Sequence, residues 1–420
     1  MEKYFAFLDG EINDLLRIDA GFTTLPATQI YTFDPQELQG FYDRYPLIVK
    51  FQQQVATIFS ASLRGEMDPF IATLLINELP HANSAEHHRQ LHQQAEEQQL
   101  PILPVFFRTD EVAPGKISEI QCPGSVWCIC EQLHSFYRHF ATDFAGETQF
   151  PTPPAQRFAE EVKNYLPFDE PILHHLLDNA SIQAGMRYFL QRTRAHGLKY
   201  YGYDKGVTSY DCNFLRAHGF ETIISDNFFK SRLEAWGKGL LRYDLAPSIC
   251  FDEKLPLILP FWDKTRSLFS DEIRDLFPYT SLITPDGVTL EEGQHVSLDD
   301  FFALPRDSRQ YFIKYAGSDI AWNWGSKGVY FGGSVTQVMA QRLIVLIKEG
   351  FSKQHYWILQ KKYAIKEDIG YLDRTGEIKE AEATAKYSGF YGPSGLIAMV
   401  NMHRPFYKVH GSDETIVSIC

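Results

Sequence analysis

The stretch Pro104–Cys122, PVFFRTDEVAPGKISEIQC, contains two extended runs on either side of Pro114–Gly115. A Pro-Gly pair between two runs rich in β-forming residues predicts a β-hairpin. If the hairpin is symmetric about this pair, Asp110 lies opposite Glu119, and the period-2 alternation of a strand puts both on one face. Like charges placed opposite each other destabilise a sheet, so the pairing indicates that a positive group lies between the two carboxylates.

The same register places Arg108 opposite Gln121 on the face that carries the two acids. Two carboxylates and a carboxamide are oxygen ligands that Mg²⁺ accepts, and the planar guanidinium of Arg108 can hold a phosphate. The alternative is a solvated hairpin whose charges never meet, because a shift of one residue in the turn would undo the pairing.

A second candidate segment is RQYFIKYAGSDIAWNWGSKGVYFGGS, residues 309–334. It predicts a strand that ends at Lys314, followed by a loop rich in glycine and serine. Glycine lets backbone amides approach an anion closely, and a lysine at the strand end supplies positive charge, so the segment is typical of a loop that covers nucleotide phosphates. The loop is not a Walker A sequence, and a plain β-hairpin with a glycine-rich turn is the alternative.

The next strand signal is QHYWILQKKY, residues 354–363. This apolar run ends in Gln360, Lys361 and Tyr363, where a change of chain direction can form a hinge that offers polar groups to an adenine edge between two lobes. A core strand with a solvated end is the alternative interpretation.

Together these segments resemble the ATP-grasp superfamily in the circularly permuted arrangement of glutathionylspermidine synthase and, more distantly, of eukaryotic glutathione synthetase. In that arrangement R-x-D and then E-x-N precede the lysine-bearing loop. Here Arg108-Thr-Asp110 and Glu119-Ile-Gln121 precede Lys314 in the same order. The resemblance implies an α+β protein with a circularly permuted ATP-grasp fold that uses ATP and Mg²⁺, with Asp110, Glu119 and Gln121 as metal ligands.

The resemblance also implies roles for further residues. Arg108, Lys314 and Arg404 would act in catalysis, with Arg108 meeting the transferred phosphate. The implied nucleotide contacts are Lys264, Lys314, Gly317, Ser318, Gly325, Ser326, Gly328, Gln360, Lys361 and Tyr363.

The implied reaction is an ATP-dependent ligation of a small-molecule carboxylate to a small-molecule amine through an acyl phosphate, with release of ADP and phosphate. Gln121 departs from the family pattern, because asparagine is usual there and the glutamine amide reaches one methylene further. This departure supports the alternative of a catalytically silent ATP-binding regulatory or scaffold protein. No amidase domain precedes the ligase segments, so the bifunctional enzyme is not expected.

Composition sets outer limits on these interpretations. The chain has 420 residues, of which 44% are hydrophobic, a composition typical of a large globular protein. A formal net charge of −13 disfavours a main role in binding nucleic acid. The apolar runs are shorter than the roughly 20 residues of a membrane span, so no membrane segment is predicted.

The six cysteines are too sparse for a disulfide scaffold, and the N-terminus lacks a signal or transit pattern, so the sequence predicts a protein of the reducing cytoplasm. Cys122, Cys128 and Cys130 cluster without a histidine at zinc-ligand spacing and are interpreted as small apolar residues rather than as a metal site.

The order of signals along the chain predicts four parts. They are an N-terminal helical layer (1–99), the first part of an ATP-grasp core with the metal-binding hairpin (100–198), a small α/β substrate-side domain (199–259), and a second core part with the phosphate loop and adenine hinge (260–420). Helices are predicted at about 126–140, over 214–219 and at about 334–349, and the polar, histidine-rich stretch 81–99 is predicted to be a solvated helix.

Overall fold

The structure is a computed structural model that describes most of the chain. The described residues are 24–76, 85–122, 127–140, 151–168, 171–176, 180–202, 213–217, 226–246, 251, 254–317, 322, 327–373, 375–406, 409 and 415–420. Within them no helix is both long enough and apolar enough to cross a membrane.

Helices and strands alternate through the described chain. The helices are α1 (Pro35–Leu63), α2 (Pro69–Ile76), α3 (Ala85–Glu97), α4 (Trp127–His139), α5 (Pro154–Tyr165), α6 (Ala180–Ala195), α7 (Asp226–Gly237), α8 (Asp271–Asp275), α9 (Leu298–Ala303) and α10 (Gln337–Phe351). The strands are β1 (Thr24–Pro26), β2 (Phe107–Ala113), β3 (Lys116–Gln121), β4 (Ile172–Leu176), β5 (Lys199–Gly202), β6 (Phe214–Ala217), β7 (Arg242–Tyr243), β8 (Thr280–Ile283), β9 (Val288–Thr289), β10 (His295–Val296), β11 (Tyr311–Ala316), β12 (Val329–Phe331), β13 (Tyr356–Lys361), β14 (Ile365–Leu372), β15 (Ile378–Gly392), β16 (Gly395–Arg404) and β17 (Thr415–Ile419).

The largest sheet is mixed and has seven strands in the described part of the chain. Its order is β1-β17-β16-β15-β2-β3, and β14 also pairs with β15. Strand β1 runs parallel to β17, and the other pairs are antiparallel. The long strand β15 uses its first half to pair with β14 and its second half to pair with β2, so it joins the hairpin to the rest of the sheet.

Helices cover both faces of this sheet. Tyr391 of β15 packs in one core with Phe41 and other α1 residues, whereas Phe390, on the opposite face, packs against Trp127 of α4 with ring centroids 5.0 Å apart. Because side chains alternate along a strand, Lys386 and Ser388 share the face of Phe390. Lys386 and Ser388 therefore lie on the α4 side of the sheet and not beneath α1.

The described residues form three further sheets, of which the smallest is the two-stranded antiparallel pair β9-β10. The four-stranded sheet β12-β11-β13-β8 is antiparallel. Leu343 and Ile347 of α10 pack in one core with Trp357 of β13. The sheet β5-β4-β6-β7 is parallel. It includes β4, which lies in the chain before residue 199, the predicted start of the small α/β domain. The four-part division of the chain stays a prediction.

The buried pair Arg216–Asp244 ties the parallel sheet to the hairpin. Arg216 Nη1 lies 2.6 Å from Asp244 Oδ2, and Asp244 Oδ1 accepts a hydrogen bond from the backbone N–H of Phe106 at 2.8 Å. Phe106 directly precedes β2. The contact therefore fixes the start of the hairpin against the small α/β layer.

The predicted helices at about 126–140 and 334–349 are confirmed as α4 and α10. The helix predicted over 214–219 is wrong for its described part, which is strand β6. The histidine-rich stretch does form helix α3, but His92 is buried at 1% exposure rather than solvated. Cys122, Cys128 and Cys130 are buried, as expected for small apolar residues.

Candidate functional site

The hairpin β2–β3 has the register that the sequence predicts. Asp110 pairs with Glu119 and Arg108 pairs with Gln121, and the turn residue Gly115 has φ of 74°, a left-handed conformation that favours glycine. The register shifts on either side of Glu111. The two acids therefore remain opposite each other in spite of an irregular turn end.

Asp110 is buried, and both of its carboxylate oxygens accept hydrogen bonds. Ser388 Oγ donates to Oδ1 at 2.7 Å, and Lys386 Nζ donates to Oδ2 at 2.8 Å. Arg108 lies beside them, with Nη2 3.1 Å from Oδ2 and Nε 3.0 Å from Oδ1. Burial would raise the pKa of Asp110, but the charges of Arg108 and Lys386 and the hydrogen bonds from Lys386 and Ser388 hold that pKa well below its usual range. Asp110 is therefore a carboxylate at neutral pH.

Glu119 faces a second lysine. Its Oε1 lies 3.4 Å from Nζ of Lys254, which is 6% exposed and directly precedes the 3₁₀ turn Leu255–Ile258. Burial would raise the pKa of Glu119, yet the charges of Lys254 and Lys314 outweigh it and lower the pKa below its usual value. Asp110 and Glu119 are thus both balanced by buried cations.

Lys314 and Gln360 occupy neighbouring strands of the four-stranded sheet. Lys314 Nζ donates to Gln360 Oε1 at 2.6 Å, while Gln360 Nε2 donates to the backbone carbonyl of Ser118 at 3.3 Å and to Thr280 Oγ1 at 3.2 Å. Burial lowers the pKa of Lys314 to about 8, although the charge of Glu119 opposes this effect. Gln360 thereby links the four-stranded sheet directly to the hairpin of the large sheet.

A cleft lies between these two sheets, and its empty space, open mouth included, is about 740 Å³. The large sheet contributes Asp110, Ser118, Glu119, Thr384 and Lys386 to the lining, and the four-stranded sheet with its following residues contributes Phe312, Lys314, Val329, Gln360, Lys361 and Tyr363. The cleft has four lysines, counting Lys254, against two carboxylates, in a chain with a formal net charge of −13. Such a local excess of positive charge suits an anionic ligand.

Six of the twelve predicted site residues that the structure describes line this cleft. Lys361 and Tyr363 line it together with Gln360, and Lys361 also forms an ion pair with Glu291. Gln121 pairs in register with Arg108 beside the cleft. Arg404 ends β16 opposite Thr384, a lining residue, and its guanidinium lies 5.3 Å from the centroid of the Phe406 ring.

Lys264 does not line the cleft. Its side chain is 50% exposed and forms an ion pair with Asp68, and its ammonium lies 5.0 Å from the centroid of the Trp262 ring. The buried lysine that reaches the cleft from this region is Lys254, ten positions earlier in the chain. The nucleotide contact of Lys264 stays a prediction, and Lys254 is a second candidate from the same region.

The glycine-rich loop is described in part. Ser318, Gly325 and Ser326 lie outside the described residues. The N–H of Gly328 donates to the carbonyl of Trp322 at 2.9 Å, and a β-carbon at Gly328 would come within 2.8 Å of that oxygen. A β-carbon at Gly317 would come within 2.6 Å of the Tyr315 hydroxyl. Close packing therefore requires glycine at position 328, whereas a side chain at position 317 would displace the Tyr315 ring.

Sequence reasoning missed Lys254 and Lys386. A signal existed for the second, because Lys386 and Ser388 are two residues apart on one strand and must face the same way. That signal becomes useful only once β15 is known to pair with β2. Lys254 has no comparable signal in its local sequence.

The donor set can be tested for its fit to a divalent cation. Among the described residues no group of three or more His, Cys, Asp or Glu side chains is placed to hold a metal ion. Mg²⁺ at a nucleotide, however, is usually held by one or two carboxylates, with the remaining positions filled by phosphate oxygens and water. Asp110 and Glu119, opposite each other in a lysine-rich cleft, match that pattern, and Gln121 adds an amide near them. The residues fit a metal that arrives with a phosphate ligand.

No protein-family model matches this sequence, and no curated protein matches it either. Among solved structures, the chain is similar to the apo form of a glutathione synthetase-like effector from Globodera pallida, with 10% identity, a TM-score of 0.51, and coverage of 99% of this chain and 92% of that one. A provisionally named gamma-glutamylcysteine synthetase from Methylobacillus flagellatus KT gives 12% identity, a TM-score of 0.39, and coverage of 85% and 83%. The second likeness is too weak to support a conclusion. The first concerns the fold alone: the chain has the overall fold of a glutathione synthetase-like protein.

Proposed function

We propose that this chain is an ATP-dependent ligase that joins a carboxylate to an amine, with a circularly permuted ATP-grasp fold. The observation that carries the proposal is the cleft between two sheets in which the acids of one hairpin, Asp110 and Glu119, face the buried lysines Lys254, Lys314 and Lys386. Carboxylates for a metal next to lysines for phosphates are what a nucleotide site requires. The glutathione synthetase-like fold agrees with this function.

In the proposed arrangement Asp110 and Glu119, assisted by Gln121, would hold Mg²⁺, which when bound neutralises phosphate charge. Lys254, Lys314 and Lys386 would bind the phosphates of ATP. Gln360, Lys361 and Tyr363, at the end of β13, would contact the adenine and ribose. The glycines at the two ends of the loop, Gly317 and Gly328, would bring backbone amides close to the phosphates.

The proposed chemistry has two steps. A carboxylate oxygen of the first substrate attacks the γ-phosphorus of ATP, and the bond from that phosphorus to the bridging oxygen breaks. The products of this step are an acyl phosphate and ADP. The amine nitrogen of the second substrate then attacks the acyl carbon, inorganic phosphate leaves, and the nitrogen loses a proton to form an amide. Arg108, which already lies against Asp110, and Lys314 would stabilise the charge on the transferred phosphoryl group.

The rival function is an ATP-binding regulatory or scaffold protein without turnover. Two observations favour it: Gln121 stands at the position that the family resemblance gives to asparagine, and the structural relative from Globodera pallida is named an effector. The two functions share the nucleotide site and differ in whether an added amine is consumed. The cytoplasm is the proposed location for either.

The test is turnover of the purified protein with ATP, Mg²⁺ and pools of amino acids and polyamines. A ligase releases ADP and phosphate only when both an acid and an amine are present, and mass spectrometry detects an amide product. Asp110→Asn should abolish turnover with an unchanged near-ultraviolet circular dichroism spectrum, whereas Asp368→Asn, at an exposed position on β14, should not. Nucleotide binding without turnover on any pool would favour the scaffold. Full activity in Asp110→Asn would contradict the metal assignment.

A further inference from the structure

Lys386 occupies a position beside Asp110 that has two possible partners. Its ammonium donates to Asp110 Oδ2 at 2.8 Å, and the side chain is only 7% exposed. The same residue also lines the cleft, together with Lys254 and Lys314. Lys386 can therefore move from the hairpin carboxylate to an anion in the cleft by rotating its own side chain.

The remaining contacts of the hairpin acids reinforce this arrangement. The other oxygen of Asp110 accepts from Ser388, and Arg108 lies against both oxygens. Glu119 is balanced by Lys254 at 3.4 Å. A divalent cation that approaches these acids alone meets carboxylates already neutralised by buried cations, and like charges at such distances repel strongly in a low-dielectric site.

A triphosphate changes the balance of charge. Its oxygens offer the lysines new anionic partners, so the lysine ammonium groups can leave the acids, and the acids then have lone pairs for a metal. The phosphates also supply oxygen ligands that two carboxylates alone lack. The acids and the phosphates thus become ligands of one cation at the same time.

We propose that Lys386 is a specificity-determining residue that makes the site accept a divalent metal only together with a nucleotide. It acts as an internal counter-ion for Asp110 in the free protein and as a phosphate ligand in the loaded one. The inference rests on the proposed nucleotide site and adds a rule for the order of loading: the metal–nucleotide complex binds, and the free metal does not.

The test is binding of Mn²⁺, followed by electron paramagnetic resonance, to the full-length protein with and without the non-hydrolysable analogue AMP-PNP. Mn²⁺ takes the same oxygen ligands as Mg²⁺. For the wild type, AMP-PNP should tighten Mn²⁺ binding on the order of a hundredfold, since the metal and the lysines no longer compete for the acids. Lys386→Met should bind Mn²⁺ alone about tenfold more tightly than the wild type and should show a smaller effect of AMP-PNP.

Lys366→Met is the matched control, because Lys366 is an exposed lysine of β14 paired with Glu382, and it should behave like the wild type. Equal Mn²⁺ affinity of the wild type with and without AMP-PNP would overturn the inference, even if Lys386→Met fails to fold. So would a Lys386→Met protein that binds free Mn²⁺ no more tightly than Lys366→Met. Failure of AMP-PNP to bind in any form is a different result, which would overturn the proposed function itself and the inference with it.

Discussion

Arg44 of helix α1 donates two hydrogen bonds to the carboxylate of Glu111, from Nε to Oε1 at 3.1 Å and from Nη2 to Oε2 at 3.0 Å. Glu111 is fully buried and also accepts from the N–H of Gly115 at 3.0 Å. It lies at the irregular point of the hairpin, directly after Asp110. A side chain of the helical layer therefore fixes the segment that carries the proposed metal ligands.

Arg44→Met should destabilise the protein by about 3 kcal/mol, because it leaves a buried carboxylate without its charge partner. Urea unfolding measures the loss. Arg64→Met is the control: Arg64 is 47% exposed and pairs with Glu66 and Glu96 in solvent, so its removal should cost much less stability than the removal of Arg44. Adding Glu111→Gln to Arg44→Met should restore part of the stability. Equal losses in the two arginine variants would show that the buried pair does not hold the hairpin.

The two lysines near the 3₁₀ turn 255–258 provide a second prediction. Lys254→Met should weaken binding of AMP-PNP with Mg²⁺ about tenfold or more, because a buried cation close to the phosphates is lost. Lys264→Met should stay within about twofold of the wild type, since Lys264 is half exposed and pairs with Asp68. Isothermal titration calorimetry measures both affinities. A larger loss of affinity in Lys264→Met than in Lys254→Met would favour Lys264 as the phosphate contact.

Two contacts of Asp110, with Glu119 and with Lys386, show where prediction from sequence ends. The pairing of Asp110 with Glu119 was predictable because a short turn and a period of two are local properties. Lys386 reaches Asp110 from 276 positions away in the chain. No local pattern carries that information, because the contact exists only after β15 has paired with β2.

The prediction of a helix over 214–219 was wrong for a related reason. Phe214–Ala217 has a composition compatible with either a helix or a strand, and pairing with β4 and β7 in the parallel sheet decides for the strand. The prediction that His92 is solvated was wrong because it rested on the polar stretch around this residue. The helix packs His92 against Phe59, with ring centroids 4.9 Å apart. In both cases tertiary packing outweighed local composition.

A third prediction concerns Gln121. If its carboxamide oxygen is a metal ligand, Gln121→Ala should raise the Mg²⁺ concentration for half-maximal turnover about tenfold, with KM for the amine unchanged. Gln121→Asn keeps an amide at this position and should stay within about threefold of the wild type. Steady-state kinetics over a range of Mg²⁺ concentrations distinguishes these variants. An unchanged Mg²⁺ dependence in Gln121→Ala would remove Gln121 from the ligand set and leave Asp110 and Glu119.

The last prediction concerns pH and two of the buried histidines, His92 and His134. Burial lowers the pKa of both below the usual value of 6.5, in His92 against the opposing charge of Glu96. His92 Nε2 lies 2.6 Å from Ser60 Oγ, and His134 Nε2 lies 2.8 Å from the Pro151 carbonyl oxygen. The unfolded chain therefore takes up protons more readily than the folded one as pH falls below about 6.5.

Stability should thus be constant with respect to these groups above pH 6.5 and fall below it, by at most about 1.4 kcal/mol per pH unit for each histidine. Urea unfolding between pH 7.0 and 5.5 measures this slope. His92→Gln removes one titrating group and should flatten the slope, whereas His139→Gln, at an exposed position on α4, should leave it as in the wild type. Only a group whose pKa differs between the folded and unfolded states can couple proton uptake to unfolding. An equally steep fall in all three proteins would therefore mean that carboxylates, and not His92, cause the loss of stability at low pH.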